Sequence, residues 1–324
     1  MQKRGCLGCS FPVLIIIAVL LIISIVYTFF GGPIGSKLLD KLVGAHYNLP
    51  GWLQVPQPAI ELPPEAIFHI GSFPITNSMI AAWITIVVIV LLSFFAFRRM
   101  KLVPSGLQGV MEYIYGALLN FCISVAGEKY GRRFFPVMAT IFLFVIVNAW
   151  LGLIPGYGSL IMHEQGKLVP ILRPANTDVN VPLAIALFSF VAVEFFGLRS
   201  LGLHYLKKFI NTKQFRLGVG QLLRGKIKPA LSGILFGVID IFVGLLEGLS
   251  EFIRIVSFTF RLFGNMTAGE ILLLIIGFLV PLVVSLPFYM LELIVGLVQA
   301  LIFGGLTLVF MTLAVSGHEE EEPT

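Results

Sequence analysis

The sequence predicts an all-α, polytopic membrane bundle that ends in a long, tilted helical hairpin. Only 12% of the 324 residues are charged and 57% are hydrophobic, whereas soluble domains carry roughly 25% charged residues. Long apolar blocks alternate with short basic loops, the pattern of one transmembrane bundle. Residues 231–280 contain no proline. A continuous helix there is roughly 75 Å long at about 1.5 Å per residue, against a bilayer core of about 30 Å, so it has to break or lie strongly tilted. The composition excludes a soluble globular enzyme and a disordered chain. The net charge of +5 is no nucleic-acid signal, because the basic residues fall between apolar blocks, where they fix membrane orientation.

The first apolar block, about Phe11 to Phe30, follows Lys3 and Arg4. Two readings stand for residues 1–30, a cleaved signal peptide or a retained signal anchor. The uninterrupted run from Val13 to Val26 and the lack of a clear A-x-A site favour the retained helix. Residues 31–77, rich in proline with two Lys and three acids, form an outside segment. The membrane domain covers 78–316. Its first span, about Ser78 to Phe97, stops at Arg98, Arg99 and Lys101. Leu107, Val110, Met111, Ile114, Leu118 and Phe121 recur at helical spacing within 105–128, an amphipathic helix on the membrane or against a partner. The next span, about Phe134 to Ile154, ends at Pro155-Gly156, and an outside loop follows to about Val181. The span from about Pro182 to Gly197 is short for a perpendicular helix. Residues 198–232 carry eight Lys or Arg and no acid. Pro281 and Pro287 mark the turn into the last long helix, which ends near Ser316. Residues 317–324 form a solvated acidic tail.

Sixteen of the 22 basic residues fall in segments 2–4, 98–133 and 198–232, and four in the two outside loops. The positive-inside rule then gives one topology with a cytoplasmic C-terminus, of six crossings with the first block or five without it. Cys6 and Cys9 form a lone C-x-x-C with no second pair or nearby His, so they and Cys122 predict no metal site. No metalloprotease, hydrolase or phosphate-loop motif occurs, and the sequence implies neither catalytic residues nor a cofactor.

Chemistry concentrates in the C-terminal hairpin. Asp240, Glu247, Arg254 and Arg261 recur every seven residues. Seven residues advance a helix by about 700°, so the four share one face, with Glu251 and Asn265 beside them by i,i+4 spacing. Ionisable side chains at membrane depth cost perhaps 2.5–3.5 kcal/mol on insertion scales and normally face a partner or a water path. Internal pairing is one reading: Arg254 with Glu247 or Glu251, and Arg261 with Glu270 or Glu292. An ion path is the other.

The run Ser257-Phe258-Thr259-Phe260-Arg261-Leu262-Phe263-Gly264-Asn265-Met266-Thr267-Ala268-Gly269-Glu270 resembles the signature of subunit a of F-type ATP synthases. Glu292 and the run Gln299-Ala300-Leu301-Ile302-Phe303 match it in the last helix. Asp178-Val179-Asn180-Val181 resembles the family's A-D-V-N-V segment, and Glu247-Gly248 falls fourteen residues before Arg261 as in the family. The resemblance spans roughly 78–316.

The resemblance implies a membrane stator beside a ring of c subunits, held by the b-subunit peripheral stalk within the F0F1 complex, and the basic loops and N-terminal anchor favour a bacterial plasma membrane. Protons pass through two offset half-channels to and from ring carboxylates, and the flow turns the ring. ATP chemistry lies on other subunits. Arg261 matches the family's essential arginine, permanently charged. Asn265 lies one turn from it, and Gln299 matches the glutamine that faces it. Glu270 and Glu292 match outside half-channel positions. Some members pair Glu with His there, whereas this chain has Glu at both, so two close carboxylates are expected to repel. Glu247 matches the cytoplasmic-side channel residue, with a helix-end salt bridge as the other reading. Asn148 resembles a polar residue of the outside half-channel, although Leu151 stands where the family often has Asp. Asp178 and Asn180 either line the outside entrance or cap the helix after them. A stand-alone ion channel or secondary transporter using the same Arg and Glu residues is the competing function.

Overall fold

The computed structural model describes residues 63–316, apart from Pro155, Leu160 and the stretches 165–166, 203–204, 206–208, 210–212, 224–226 and 280–284, together with isolated positions before residue 42. The acidic tail predicted above, and the N-terminal block apart from those isolated positions, lie outside the described residues.

Among the described residues six α-helices carry the fold. They are α1 Asn77–Phe97, α2 Leu107–Gly152, α3 Asn180–Leu201, α4 Lys213–Leu223, α5 Ile227–Leu279 and α6 Leu286–Ser316. All but α4 are long and apolar enough to cross a membrane. Two antiparallel hairpins, β1 Ala66–Ile70 with β2 Phe73–Thr76 and β3 Ile161–Glu164 with β4 Lys167–Pro170, occupy the segments predicted as outside loops. Short alternating stretches such as Phe73–Thr76 are too brief to stand out against the helical pattern.

Local chemistry sets the boundaries. Thr76 caps α1, its hydroxyl accepting from the Met79 N–H at 3.4 Å, as extended Thr does at an N-cap. Helix α2 joins the predicted amphipathic helix to the predicted span, and its backbone leaves helical geometry at Gly127 with φ 73° and ψ 169°, a region open essentially to glycine alone. Beyond that break the chain folds across its own preceding turn. A Cβ at Gly131 would lie 2.8 Å from the Cys122 carbonyl oxygen. The span predicted as Pro182 to Gly197 is corrected to Asn180–Leu201, 22 residues and about 33 Å, which is not short. Pro182 falls in its first turn, where a missing N–H costs nothing, and polar Arg199 and Ser200 extend its far end.

The long helix does not break. Helix α5 runs 53 residues, roughly 80 Å, so within a core of about 30 Å it can only slope or protrude. Helix α6 sits centrally, packed on α2, α3 and α5. The core joins Phe134, Met138 and Val145 of α2, Val193 of α3, Phe258 and Leu262 of α5 and Phe303, Leu308 and Met311 of α6. Small residues bring α2 and α6 together: a Cβ at Gly296 would lie 3.0 Å from that of Ala149, the close approach favoured between helices in lipid. Ser189 and Thr307 share a buried 2.7 Å hydrogen bond between α3 and α6.

Candidate functional site

The charged stripe lies along the flank of the packed side of α5. Gly237, Gly244, Glu251 and Phe258 form a buried seam. Asp240, Glu247, Arg254 and Arg261, each three residues later, are all half-buried beside it, while the apolar Phe242, Leu245, Phe252 and Phe260 are exposed. Because α5 is continuous, the sevenfold spacing keeps these four groups on one side, as predicted.

The members of the stripe differ in their pairing. Arg254 Nη1 lies 2.6 Å from Glu251 Oε2, and its guanidinium stacks 3.7 Å from the Phe310 ring centroid on α6, a cation–π contact. Arg261 is not paired with Glu270 or Glu292. Among the described residues it makes neither an ion pair nor a hydrogen bond, and its guanidinium lies 5.7 Å from the Phe258 ring centroid. Glu270, nine residues on, faces the opposite side of α5, since nine residues turn an undistorted helix by about 900°. Asn265 is exposed.

Helices α5 and α6 hold one antiparallel register. Phe258 meets Phe303 with ring centroids 4.9 Å apart. Eleven residues beyond Phe258, Gly269 meets Glu292, which lies eleven residues before Phe303. Arg261, three residues after Phe258, therefore stands level with Ala300 and beside Gln299. Gln299 is 7% exposed and makes no hydrogen bond among the described residues.

Toward the Gly269 end the helices seat two carboxyls differently. The Glu292 carboxyl fills the space a Cβ at position 269 would need, touching it with both oxygens and Cδ. Glu292 is 8% exposed and has no ion pair or hydrogen bond among the described residues. Glu270 is held by Arg173, whose Nη2 and Nε lie 3.1 and 3.3 Å from Glu270 Oε2, while Nη1 donates to the Pro63 carbonyl at 3.4 Å. The predicted mutual repulsion of the two carboxylates is relieved on one side by this arginine. Sequence reasoning missed Arg173, counting it only as a loop charge. The available signal was its setting in V-P-I-L-R-P-A, an apolar context just before the D-V-N-V segment.

The segment that presents Arg173 is fastened from three sides. The Asn176 N–H donates to Asn148 Oδ1 at 3.1 Å and its Nδ2 to the Val145 carbonyl at 3.2 Å. Asn148 Nδ2 donates to Thr85 Oγ1 at 2.9 Å. Asp178 Oδ1 accepts from both the backbone and side-chain nitrogens of Asn180 at 3.0 Å, and Oδ2 from Ser78 Oγ at 2.5 Å. Asp178 thus secures the start of α3 and ties it to α1. Asn148 and Asp178, 1% and 4% exposed, have geometry that accounts for a structural role.

At the far end of α3, a second cluster escaped the sequence reading. Tyr205 Oη donates to Glu194 Oε1 at 3.1 Å, and its ring rests on Gly197, where a Cβ would lie 2.6 Å from Cε2. Burial first, then the Glu194 carboxylate, raise the Tyr205 hydroxyl well above its usual range. Among the described residues there is no cluster of His, Cys, Asp and Glu able to hold a metal ion.

These features define a multi-pass membrane protein with a charged seam between its helices, the arrangement of an ion-translocating subunit. The family model described as ATP synthase A chain matches residues 79–312. The chain is 30% identical to "ATP synthase subunit a" of Gloeobacter violaceus over 81% of its own length and 93% of that protein. It is 31% identical to the protein of the same name from Trichlorobacter lovleyi, over 76% and 89%. It is 33% identical to "ATP synthase subunit a 3" of Pelobacter propionicus, over 71% and 83%. The chain belongs to the ATP synthase A chain family, the proton-translocating stator subunits of the F0 sector, which are not themselves catalytic. It is therefore a component of the F0F1 complex, and the stand-alone channel or transporter reading is set aside.

Proposed function

We propose that Arg261 is the fixed cation opposite which carboxylates of a c-subunit ring lose and regain protons, between two half-channels of this chain. The observation that carries this is an arginine on a continuous, largely apolar helix, half-buried and without an internal anion among the described residues. Such a charge is costly in a bilayer, and a carboxylate supplied by another subunit would compensate it. Guanidinium stays protonated at any relevant pH. A ring carboxylate arriving beside it is favoured as the anion and releases its proton. The same charge repels a proton crossing directly between half-channels. Gln299, level with Arg261, and Asn265, one turn away, supply neutral hydrogen-bonding groups for the approaching carboxylate or for water.

The outside half-channel is assigned to Glu292 and Glu270, with Asp178, Asn180 and Asn148 toward its entrance, and the cytoplasmic half-channel to Glu247. The basic segments support a cytoplasmic C-terminus for a chain in a bacterial plasma membrane, and in this reading the b-subunit peripheral stalk holds the chain against the ring. Residues 31–77 then lie outside, 78–316 form the membrane domain, and 1–30 add a signal anchor. Each proton crossing releases about 2.3 kcal/mol per 100 mV, and several must pass for each ATP. The test is ATP-driven acidification of inverted vesicles with Arg261→Ala, the ring's presence being checked by co-purification. Pumping lost with the ring bound is the expected outcome, and retained coupled pumping would refute the role.

A further inference from the structure

Helix α4 takes no part in the ion path proposed above, and the chain leaves its apolar side uncovered. Successive residues of a helix are turned by about 100°. Val219 and Leu222 therefore stand about 60° apart, Arg216 lies about 60° beyond Val219, and Lys213 and Gln221 fall on the other side. Gly220 and Gln221 are half-buried where α4 packs along α5. Val219 and Leu222 are 37% and 51% exposed, and Arg216 is exposed beside them.

This helix stands where a bilayer core ends. Helix α3, with 22 residues, is about 33 Å long, close to the core thickness of about 30 Å, and the chain after it stays near that level. The Tyr205 ring rests on Gly197 in the last turns of α3, and Phe209 lies 3.9 Å from the place of a Cβ at Gly248 on α5. Helix α4 begins four residues later, at Lys213. Leu231, Leu235 and Phe236 at the start of α5 are exposed as well, so apolar surface continues from α4 onto its neighbour. The whole segment 198–232 carries eight Lys or Arg and no acid. Apolar residues beside a cluster of cations at headgroup depth suit an anionic lipid surface. An acidic protein segment would match the cations but leave the apolar arc to water.

We propose that α4 is an interfacial helix that binds anionic phospholipid in the leaflet where α3 ends. Val219 and Leu222 enter the boundary between headgroups and acyl chains, while Arg216 and the other cations of the segment meet the headgroup phosphates. This goes beyond the ring reading above and does not depend on it.

The test uses the assembled complex in phosphatidylcholine vesicles, with a fluorophore at Val219→Cys or at Gln214→Cys, about 140° around the helix, and the other reactive cysteines replaced. Both positions are exposed, so the fold should tolerate the label. Nitroxide-labelled lipid should quench strongly at Val219 and weakly at Gln214, and aqueous iodide the reverse. Half-quenching at Val219 should need several-fold less nitroxide-labelled phosphatidylglycerol than nitroxide-labelled phosphatidylcholine. Arg216→Gln should raise the phosphatidylglycerol requirement about fivefold, the scale of one basic residue at an anionic surface, and Arg216→Lys should leave it unchanged. Equal requirements for the two lipids would overturn the anionic ligand. Quenching at Val219 by iodide alone would put α4 in water, and quenching by neither agent would put another protein on it; either result overturns the proposal. Ring co-purification and proton conductance, measured on the same samples, keep a failure here distinct from a failure of the ring reading.

Discussion

Replacing Gly269 by alanine separates the seat of the Glu292 carboxyl from the stability of the helices around it. The added Cβ would fall on both carboxyl oxygens and Cδ of Glu292, so the carboxyl has to move by roughly 1 Å to regain ordinary van der Waals separation. The obstacle is the far end of a flexible side chain, which can turn aside. Alanine also improves helix propensity over glycine by about 1 kcal/mol, which offsets much of the overpacking cost of about 1–3 kcal/mol. The net change in stability is therefore expected to be small. Function should respond differently, since a group displaced by about 1 Å can lose on the order of 100-fold in rate. Gly296→Ala is the contrasting control. Its Cβ would lie 3.0 Å from the Ala149 Cβ, a backbone-anchored atom that cannot turn aside, so stability should drop by about 1–3 kcal/mol. The assays are thermal unfolding of the detergent-solubilised complex and proton conductance in vesicles. Wild-type conductance in Gly269→Ala, with the substitution verified and the complex intact, would refute the link between the Gly269 slot and proton passage.

Removing one partner of the Arg254–Glu251 pair, as in Glu251→Leu, should destabilise the chain by about 3–5 kcal/mol, the cost of an uncompensated buried charge; adding Arg254→Leu should return most of it in the same melting assay. Gly127→Ala should cost about 1–3 kcal/mol, because alanine is strained in the backbone region that glycine occupies there, and melting temperature against a Gly116→Ala control checks it. Tyr205 makes stability fall with alkaline pH. Its hydroxyl titrates higher in the folded chain than its ordinary value of 10.0. Above that pH the unfolded state binds fewer protons, and the stabilisation drains away as pH rises toward the folded value. Tyr205→Phe should flatten the alkaline limb of the stability profile, and an unchanged limb would remove Tyr205 from it.

Much of the fold was legible because a bilayer imposes a strong pattern. The spans near Ser78 and Phe134 announced themselves by apolar length, Pro281 and Pro287 marked the turn into the last helix, and the heptad of Asp240, Glu247, Arg254 and Arg261 placed four charges on one side of a single helix. What failed to show was what depends on distant chain segments. Helical spacing linked Arg254 to Glu251 three residues away, but no periodicity relates Arg173 to Glu270, 97 residues on. Gly269 read as part of a motif, and its purpose emerged only when α6 laid Glu292 against it. The same holds for Gly197 beneath Tyr205. The hairpins at 66–76 and 161–170 were hidden because strands of four or five residues carry too few alternations to be told from loop.

The distribution of pairing along α5 argues for an external partner more strongly than any single contact does. Two acids of this helix are matched by arginines of the same chain. Glu251 has Arg254 one turn away, and Glu270 draws an arginine from a segment nearly a hundred residues earlier. A fold able to recruit Arg173 across that distance faced no greater obstacle at Arg261, since Gln299 already stands at its level on α6 and a carboxylate needs no more room than an amide. Yet that position holds a neutral side chain, and the one carboxyl of α6, Glu292, lies about 10 Å further along the helix axis. An arginine kept at membrane depth costs perhaps 2.5–3.5 kcal/mol even on the lenient insertion scale, and the cheap remedy, a glutamate at 299, is absent. An internal anion at that level would neutralise Arg261 permanently and leave nothing for an arriving carboxylate to bind. Among the described residues Arg261 has no anion from its own chain, and a carboxylate that comes and goes on a neighbouring subunit, as proposed above for a ring, would match it.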